Sequence, residues 1–230
     1  GAGSARTPAL VGSLVKLKDR FPLKKIIFYD IDNERTSKME DYIRLVLKTY
    51  SNETEVVFTT DPDVAYEKTD FVFCQMRVGK NEMRSFDEKI PLKHGLVGQE
   101  TCGPGGFAYG MRSLGAMVEM VNQVRKHSKD TWILNYTNPA AIVALGLDKV
   151  FPDDKRILNL CDQPYSLMRS YAKILGVEQK NLRATYFGLN HFGWFTELKD
   201  VDGNDYFDKL RTYLRDYDFK PYNAEQRSKS

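Results

Sequence analysis

The feature that most narrows what this chain can fold into is a regular alternation of short apolar runs with longer stretches of helical periodicity. A parallel sheet wrapped by helices writes that pattern: strands covered on both faces are continuously apolar, and each return to the next strand needs a helix with one apolar side. The runs predict strands at Lys25–Tyr29, Glu55–Thr59, Asp70–Gln75, Trp132–Tyr136 and Arg156–Leu160. Between them, Met39, Ile43, Val46 and Tyr50, and again Phe107, Met111, Leu114, Val118 and Val121, recur at helical spacing, and both stripes are expected to pack on the sheet. From Asn181 the pattern changes. Alternating residues through Thr185–Phe187 and Phe195–Leu198, then the turn Asp202-Gly203, predict antiparallel strands. The expected fold class is α/β, a doubly wound parallel sheet over residues 1–180, with residues 181–230 beginning an α+β substrate or catalytic domain. Lys220 to Ser230, polar and aperiodic, are expected to form a mobile end.

Charge and composition exclude several classes. The net charge of +3 comes from 34 basic and 31 acidic residues mixed along the chain, so no basic stripe is available to track a nucleic-acid backbone. No apolar run approaches the roughly 20 residues needed to span a bilayer, and no basic region followed by an apolar signal core opens the chain, so a cytoplasmic protein is expected, away from membranes. Cys74, Cys102 and Cys161 are an odd number, which argues for free thiols over a disulfide framework.

The polar segments cluster where strands end. Gly1-Ala2-Gly3-Ser4 leads into a helix from about Thr7 with Pro8 in its first turn, an arrangement that lets backbone amides approach a pyrophosphate and that makes sense after a strand, so a strand is expected ahead of Gly1. Arg6 stands where the third glycine of the usual fingerprint falls, and a plain strand-to-helix turn fits equally well. The second such strand runs into Asp30-Ile31-Asp32, where a carboxylate would bind ribose hydroxyls; Asp30 is the first choice and Asp32 the second, with a helix cap at Asp32 or Asn33 as the alternative.

Arg77 and Arg84 follow Asp70–Gln75 in the region where doubly wound sheets bind ligands, and a guanidinium fork suits phosphate or sugar hydroxyls; a solvated surface charge is the alternative for either one. Gly98 to Gly106 is glycine-rich enough to require a special loop, which makes Glu100 within it a candidate for acid–base support. Asn135 and Asn138 lie at the same sheet edge as the glycine turn, and either can cap a helix instead. Cys161-Asp162 and Asn190-His191 end two strands, so a thiolate and an imidazole can share a metal ion with positions open to substrate; a structural cysteine and a satisfied histidine are the alternative.

Read in order, GAGSARTP, YDIDNERT, QMRVGK, MRSFDEKIPLKHGLVGQETCGPGG, NYTNPAA, NLCDQP and GLNHFGW resemble the NAD- and metal-dependent family 4 glycoside hydrolases over nearly the whole chain. The family's nucleotide-binding half is similar to that of lactate and malate dehydrogenases, which makes the expected sheet Rossmann-like. The resemblance implies that Gly1, Gly3, Ser4, Arg6, Asp30 and Asn135 lie around NAD, that Cys161 and His191 hold Mn²⁺ or another divalent metal, and that Asp162 is the general acid. It further implies that Arg84 and Asn138 contact substrate and that Glu100 tunes a catalytic base tyrosine.

ETCGPGG followed by AYGMRS looks like the branch that acts on 6-phospho-α-glucosides such as maltose 6′-phosphate, with the 6-phospho-β-glucosidase branch as the alternative. The implied reaction is oxidation at carbon 3, removal of the carbon-2 proton, elimination and water addition, an exception to two-carboxylate hydrolysis. The implied partners are a phosphorylated disaccharide or glucoside and further copies of the chain in a homodimer or homotetramer. Family chains are about twice this long, and their base tyrosine is expected beyond this stretch, so Tyr136, Tyr186 and Tyr206 are not put in that role. Two other classes stay open: a hydroxy-acid dehydrogenase, disfavoured by the Cys161 and His191 pair, and a fragment that binds nucleotide and metal without turnover.

Overall fold

The computed structural model describes residues 1–50 and 54–217; Lys220 to Ser230 and the side chain of Tyr50 lie outside that description. Two compact units follow one another, Gly1–Leu160 and Cys161–Ser230.

In the first unit, strands β1 (Lys25–Tyr29) and β2 (Glu55–Thr59) form one parallel ladder, and β3 (Phe71–Cys74), β4 (Trp132–Asn135) and β5 (Ile157–Asn159) form another. Helices α1 (Thr7–Lys16), α2 (Asn33–Tyr50), α3 (Pro62–Tyr66), α4 (Lys80–Lys93), α5 (Gly103–His127) and α6 (Ala140–Val150) flank them. β3, β4 and β5 are a residue or two shorter than expected, yet hydrogen bonds continue past their ends: Trp132 N–H donates to Asp70, Ile133 N–H to Arg156, Tyr136 N–H to Cys74 and Leu160 N–H to Asn135.

The core forms where apolar strand faces meet helix stripes. Phe28 of β1 packs with Val11 of α1 and with Ile43 and Leu47 of α2, while Met39 and Val46 close that cluster from its margin. Ile133 of β4 packs with Met117, Val121 and Val124 of α5 and with Val143 and Leu147 of α6. Ala2 N–H donates to the carbonyl of Tyr29 at 3.0 Å, and a β-carbon on Gly1 would strike the carbonyl of Gln75. The glycine turn therefore sits between the carboxyl ends of β1 and β3, the neighbouring members of the two parallel ladders that stand in place of the one expected sheet.

One expectation is overturned in α5. Phe107 and Met111 do not pack on the sheet; they are 63% and 58% exposed, and only the later part of that stripe, through Val118 and Val121, reaches the core. The buried line instead runs through Gly105, Gly106, Tyr109, Gly110, Ser113, Met117, Met120, Val121 and Val124. At Gly110 a β-carbon would stand 2.7 Å from Ile142 of α6, so α6 approaches closely at a residue without a side chain. A tally of apolar side chains passes over glycine and turns the inferred face towards Phe107.

The second unit contains α7 (Gln163–Leu175), the antiparallel pair β6 (Leu182–Leu189) and β7 (Phe192–Asp200), and α8 (Phe207–Tyr217). Ala172 and Leu175 of α7 share a core with Leu182, Leu198 and Leu210, so α7 packs with the hairpin that follows it.

Arg125, in the last turn of α5, ties two connections of the first unit together, α5 to β4 and α6 to β5. Its Nε and Nη2 donate to the Asp154 carboxylate at 2.5 and 3.0 Å, and Nη1 donates to the carbonyls of Thr131 at 2.8 Å and Ser128 at 3.3 Å. Burial alone would push the Asp154 carboxyl up, but the Arg125 hydrogen bonds and the Arg156 backbone N–H hold it below the ordinary carboxylate range. A carboxyl depressed in the folded state contributes its full stability above the unfolded value of about 3.9, and that contribution is lost as pH falls through the folded value. Arg125→Ala should lower stability by about 2–3 kcal/mol at neutral pH, with a difference from wild type that shrinks in strong acid. Lys126→Ala, at an exposed pair with Asp63, should cost under about 1 kcal/mol. Urea unfolding of both variants at pH 7 and pH 3 checks this; equal effects at pH 7 would contradict it.

Candidate functional site

The glycine turn is held by its own chain and by β1. Ser4 N–H donates to Gly1, Thr7 N–H to Ser4, and Arg6 N–H to Ser4 Oγ at 3.2 Å. Asp30, which follows β1, accepts from Gly3 N–H at 2.8 Å through Oδ2 and from Asp32 N–H at 3.1 Å through Oδ1. A β-carbon on Gly3 would come within 2.7 Å of Arg35 Cβ, so only glycine permits the turn to lie this close to α2. Asp32 is occupied elsewhere: its Oδ1 accepts from Arg35 N–H at the start of α2, and its Oδ2 pairs with Lys80. The geometry thus brings Asp30 to the glycine turn and makes Asp32 a helix cap. Arg35, whose Nη2 donates to the carbonyl of Gly3 at 3.3 Å, was not picked out by sequence; its place in the first turn after the acidic pair was the available signal.

Asn135 is fully buried at the end of β4. Its Nδ2 donates to Asn159 Oδ1 at 2.8 Å and its Oδ1 accepts from Thr137 N–H at 2.9 Å, so its side chain braces the strand ends. Thr137 in turn accepts from Met76 N–H at 3.1 Å, which joins the segment after β3 to the same brace. Asn138, three residues on from Asn135, is partly exposed ahead of Pro139 and α6.

The expected loop from Gly98 to Gly106 is shorter in the structure, because α5 already begins at Gly103; the part from Gly98 to Cys102 is organised by Gln99, whose Oε1 accepts from the N–H groups of Thr101 and Cys102 and from the Thr101 hydroxyl. That conformation aims Glu100 at two arginines. Glu100 Oε2 lies 3.0 Å from both Arg77 Nη1 and Arg84 Nε, and Arg84 also reaches Glu88 at 2.7 Å. The Arg77 guanidinium rests 5.2 Å from the ring centre of Tyr109. Tyr109 is buried, and burial pushes its phenol above the ordinary value, a shift that Arg77 opposes and Glu100 reinforces. Neither arginine is the isolated surface charge that each could have been.

In the second unit, Cys161 and Asp162 precede α7, and His191 lies in the tight turn between β6 and β7 with a left-handed φ of 61°. Such a conformation is uncommon for a non-glycine residue and marks His191 as the pivot of the turn. Cys161 Sγ and His191 Nε2 are 3.4 Å apart. A thiolate at about 2.3 Å and an imidazole nitrogen at about 2.0–2.1 Å from one ion stand at roughly this separation when they meet at a tetrahedral angle, so the donor pair fits a divalent metal. Among the described residues no third His, Cys, Asp or Glu joins them, which leaves further positions for oxygen donors from outside the pair. Asp162 is exposed; its carboxylate meets only the Ser166 hydroxyl, at 3.4 Å, among the side-chain contacts of the described residues.

Residues 1–177 match the family 4 glycosyl hydrolase model and residues 186–230 the family 4 glycosyl hydrolase C-terminal domain. The chain is 49% identical over 217 residues to phospho-alpha-glucosidase PagL of Clostridium acetobutylicum, and 45% identical over 222 residues to maltose-6′-phosphate glucosidase of Bacillus subtilis. Those alignments cover 94% and 96% of this chain. The match to 6-phospho-beta-glucosidase BglT of Thermotoga maritima is 33% identical over 215 residues, 94% of this chain and 50% of that protein. The chain spans about half the length of the curated relatives it matches, 49% of both PagL and the Bacillus subtilis protein.

Among solved structures, a 6-phospho-alpha-glucosidase from gut microorganisms in complex with NAD and Mn²⁺ has a TM-score of 0.89 at 45% identity, covering 94% of this chain and 50% of that one. A second, in complex with NAD and glucose 6-phosphate, has a TM-score of 0.87 at 43% identity, covering 94% and 49%. Lactate dehydrogenase from Eimeria maxima, at 14% identity and a TM-score of 0.61 over 92% of this chain and 59% of that one, shares the fold alone, which is the Rossmann-like sheet expected from sequence. With both family models aligned along it and phospho-glucosidases among its relatives, the chain belongs to the family 4 glycosyl hydrolases.

Proposed function

We propose that this chain forms the nucleotide- and metal-binding part of a 6-phospho-α-glucosidase that acts on substrates such as maltose 6′-phosphate. The observation that carries this reading is the 3.4 Å approach of Cys161 Sγ to His191 Nε2 in a chain of this family. The α preference is supported by 45–49% identity to the two α-acting relatives against 33% to the Thermotoga β-glucosidase. When bound, NAD⁺ would accept a hydride from carbon 3 of the glucosyl ring and a divalent metal would act as a Lewis acid towards the neighbouring sugar oxygens.

The chain's own residues divide the remaining work. Gly1, Gly3, Ser4 and Arg6 would form the turn on which the pyrophosphate rests, the glycines leaving its backbone free of side chains, and Asp30 would accept from ribose hydroxyls beside the Gly3 N–H it already binds. Asn135, its side chain engaged inside the fold, would shape that edge rather than touch the nucleotide. Cys161 and His191 would hold the metal while leaving room for sugar oxygens. Asp162, uncovered at the start of α7, would pass a proton to the leaving oxygen. Arg84 and Asn138 would hold the sugar, with Glu100 between Arg84 and the base supplied by the rest of the enzyme. Oxidation of Cys161 would remove a metal donor, so the enzyme would work in a reducing compartment such as the cytoplasm, as a homodimer or homotetramer.

Cys161→Ser and His191→Ala should each weaken Mn²⁺ binding by about tenfold or more, because each removes one of two protein donors. Metal titration of the folded variants reads this without turnover, and unchanged affinity in both would remove the metal site. In an enzyme of the relatives' full length, Asp162→Asn should slow glucosides with poor leaving groups far more than aryl glucosides, which need little protonation; an equal loss would take the acid's role from Asp162. In deuterated water, the same enzyme should release glucose 6-phosphate carrying deuterium at carbon 2. Mass spectrometry of the product, corrected for background exchange, checks the redox route, and its failure is a product without that label.

A further inference from the structure

Arg77 and Arg84 share one oxygen of Glu100, but they are not held alike. Arg84 projects from α4, is 44% exposed, and has a second carboxylate within reach in Glu88, one turn along the same helix. Arg77 is 29% exposed and lies over the ring of Tyr109. That ring is buried, and its hydroxyl donates to the carbonyl of Met76 at 3.3 Å. A cation stacked on a buried ring keeps its place better than one on an exposed helical arm. Arg112 also approaches Tyr109, at 5.9 Å, but its guanidinium is bound to the buried carboxylate of Asp87 and cannot serve Glu100 instead. Glu100 itself is only 17% exposed, so loss of all its cationic partners would leave a poorly hydrated charge.

We propose that Arg77 is a positioning residue that keeps Glu100 paired while Arg84 turns away from it to a phosphorylated sugar. Without Arg77, Arg84 would be the sole guanidinium on Glu100, and a ligand would have to break that pair and leave the carboxylate uncovered. Arg77 touches no ligand in this scheme; it acts through Glu100. The inference rests on the reading of Arg84 as a sugar-binding arginine.

The test is a binding cycle in an enzyme of the relatives' full length, read by isothermal titration with glucose 6-phosphate. Arg77→Gln should raise Kd about tenfold, the worth of one charge-assisted hydrogen bond. Arg77→Lys, which keeps the charge without the planar fork, should raise it less. In a Glu100→Gln background, Arg77→Gln should have little further effect, because no charge remains to be kept in place. A purely structural role would give the same loss in both backgrounds and would overturn the proposal, as would an unchanged Kd in Arg77→Gln. If Arg77→Gln does not fold, the Lys variant in the two backgrounds carries the same comparison. A wild-type enzyme that binds inorganic phosphate but not glucose 6-phosphate would end the phosphoglucosidase reading alone, and the cycle repeated with phosphate would decide Arg77. Binding of neither probe would overturn both.

Discussion

The buried side chain of Asn135 is the tie on which the carboxyl-end edge of the first unit depends. Parallel strands end in backbone groups that the ladder no longer satisfies, and at that edge they must be paired or hydrated. Asn135 links the end of β4 to the end of β5 through Asn159 and turns the chain through Thr137, whose hydroxyl then accepts the N–H of Met76 after β3. Three strand ends are thereby fixed by two side-chain amides and one hydroxyl. Met76 accepts from Tyr109, and Tyr109 supports Arg77, so the brace extends to the charged groups around Glu100.

Those groups show how a partly buried carboxylate shapes its surroundings. Glu100 meets two guanidinium groups, and Asp87 beneath the same segment meets Arg112. Each acid lies where an unpaired charge would be costly, so their arginines are held in set directions. The loop that carries Glu100 is kept in shape by Gln99, a single acceptor for three donors. Geometry at this edge is thus set by polar groups seated on an apolar frame, and the frame supplies rigidity without choosing what is bound.

Much of this was legible in the sequence. β1 and β2 fall at the expected residues, α1 starts at Thr7, and the hairpin appears after Asn181, because strand and helix periods are local properties of the chain. The buried side of α5 was misread, because it includes glycines that register in no apolar count. Asp30 is the first choice from sequence, with Asp32 the second or a helix cap; what sets Asp30 apart in the fold is the N–H of Gly3, 27 positions away in the chain, while Asp32 caps α2.

The sequence by itself determined the alternation of strands and helices, the free state expected of the thiols, and motifs specific enough to mark the family. Local chemistry suffices for these: periodicity, turn residues and donor types are properties of neighbouring positions. Only the tertiary structure decided which groups meet. Cys161 and His191 are 30 residues apart in the chain and come to 3.4 Å through the turn between β6 and β7, and Glu100 finds Arg77 across 23 residues of helix and loop. Such encounters depend on how packed elements direct side chains, and no spacing read along the chain encodes that direction.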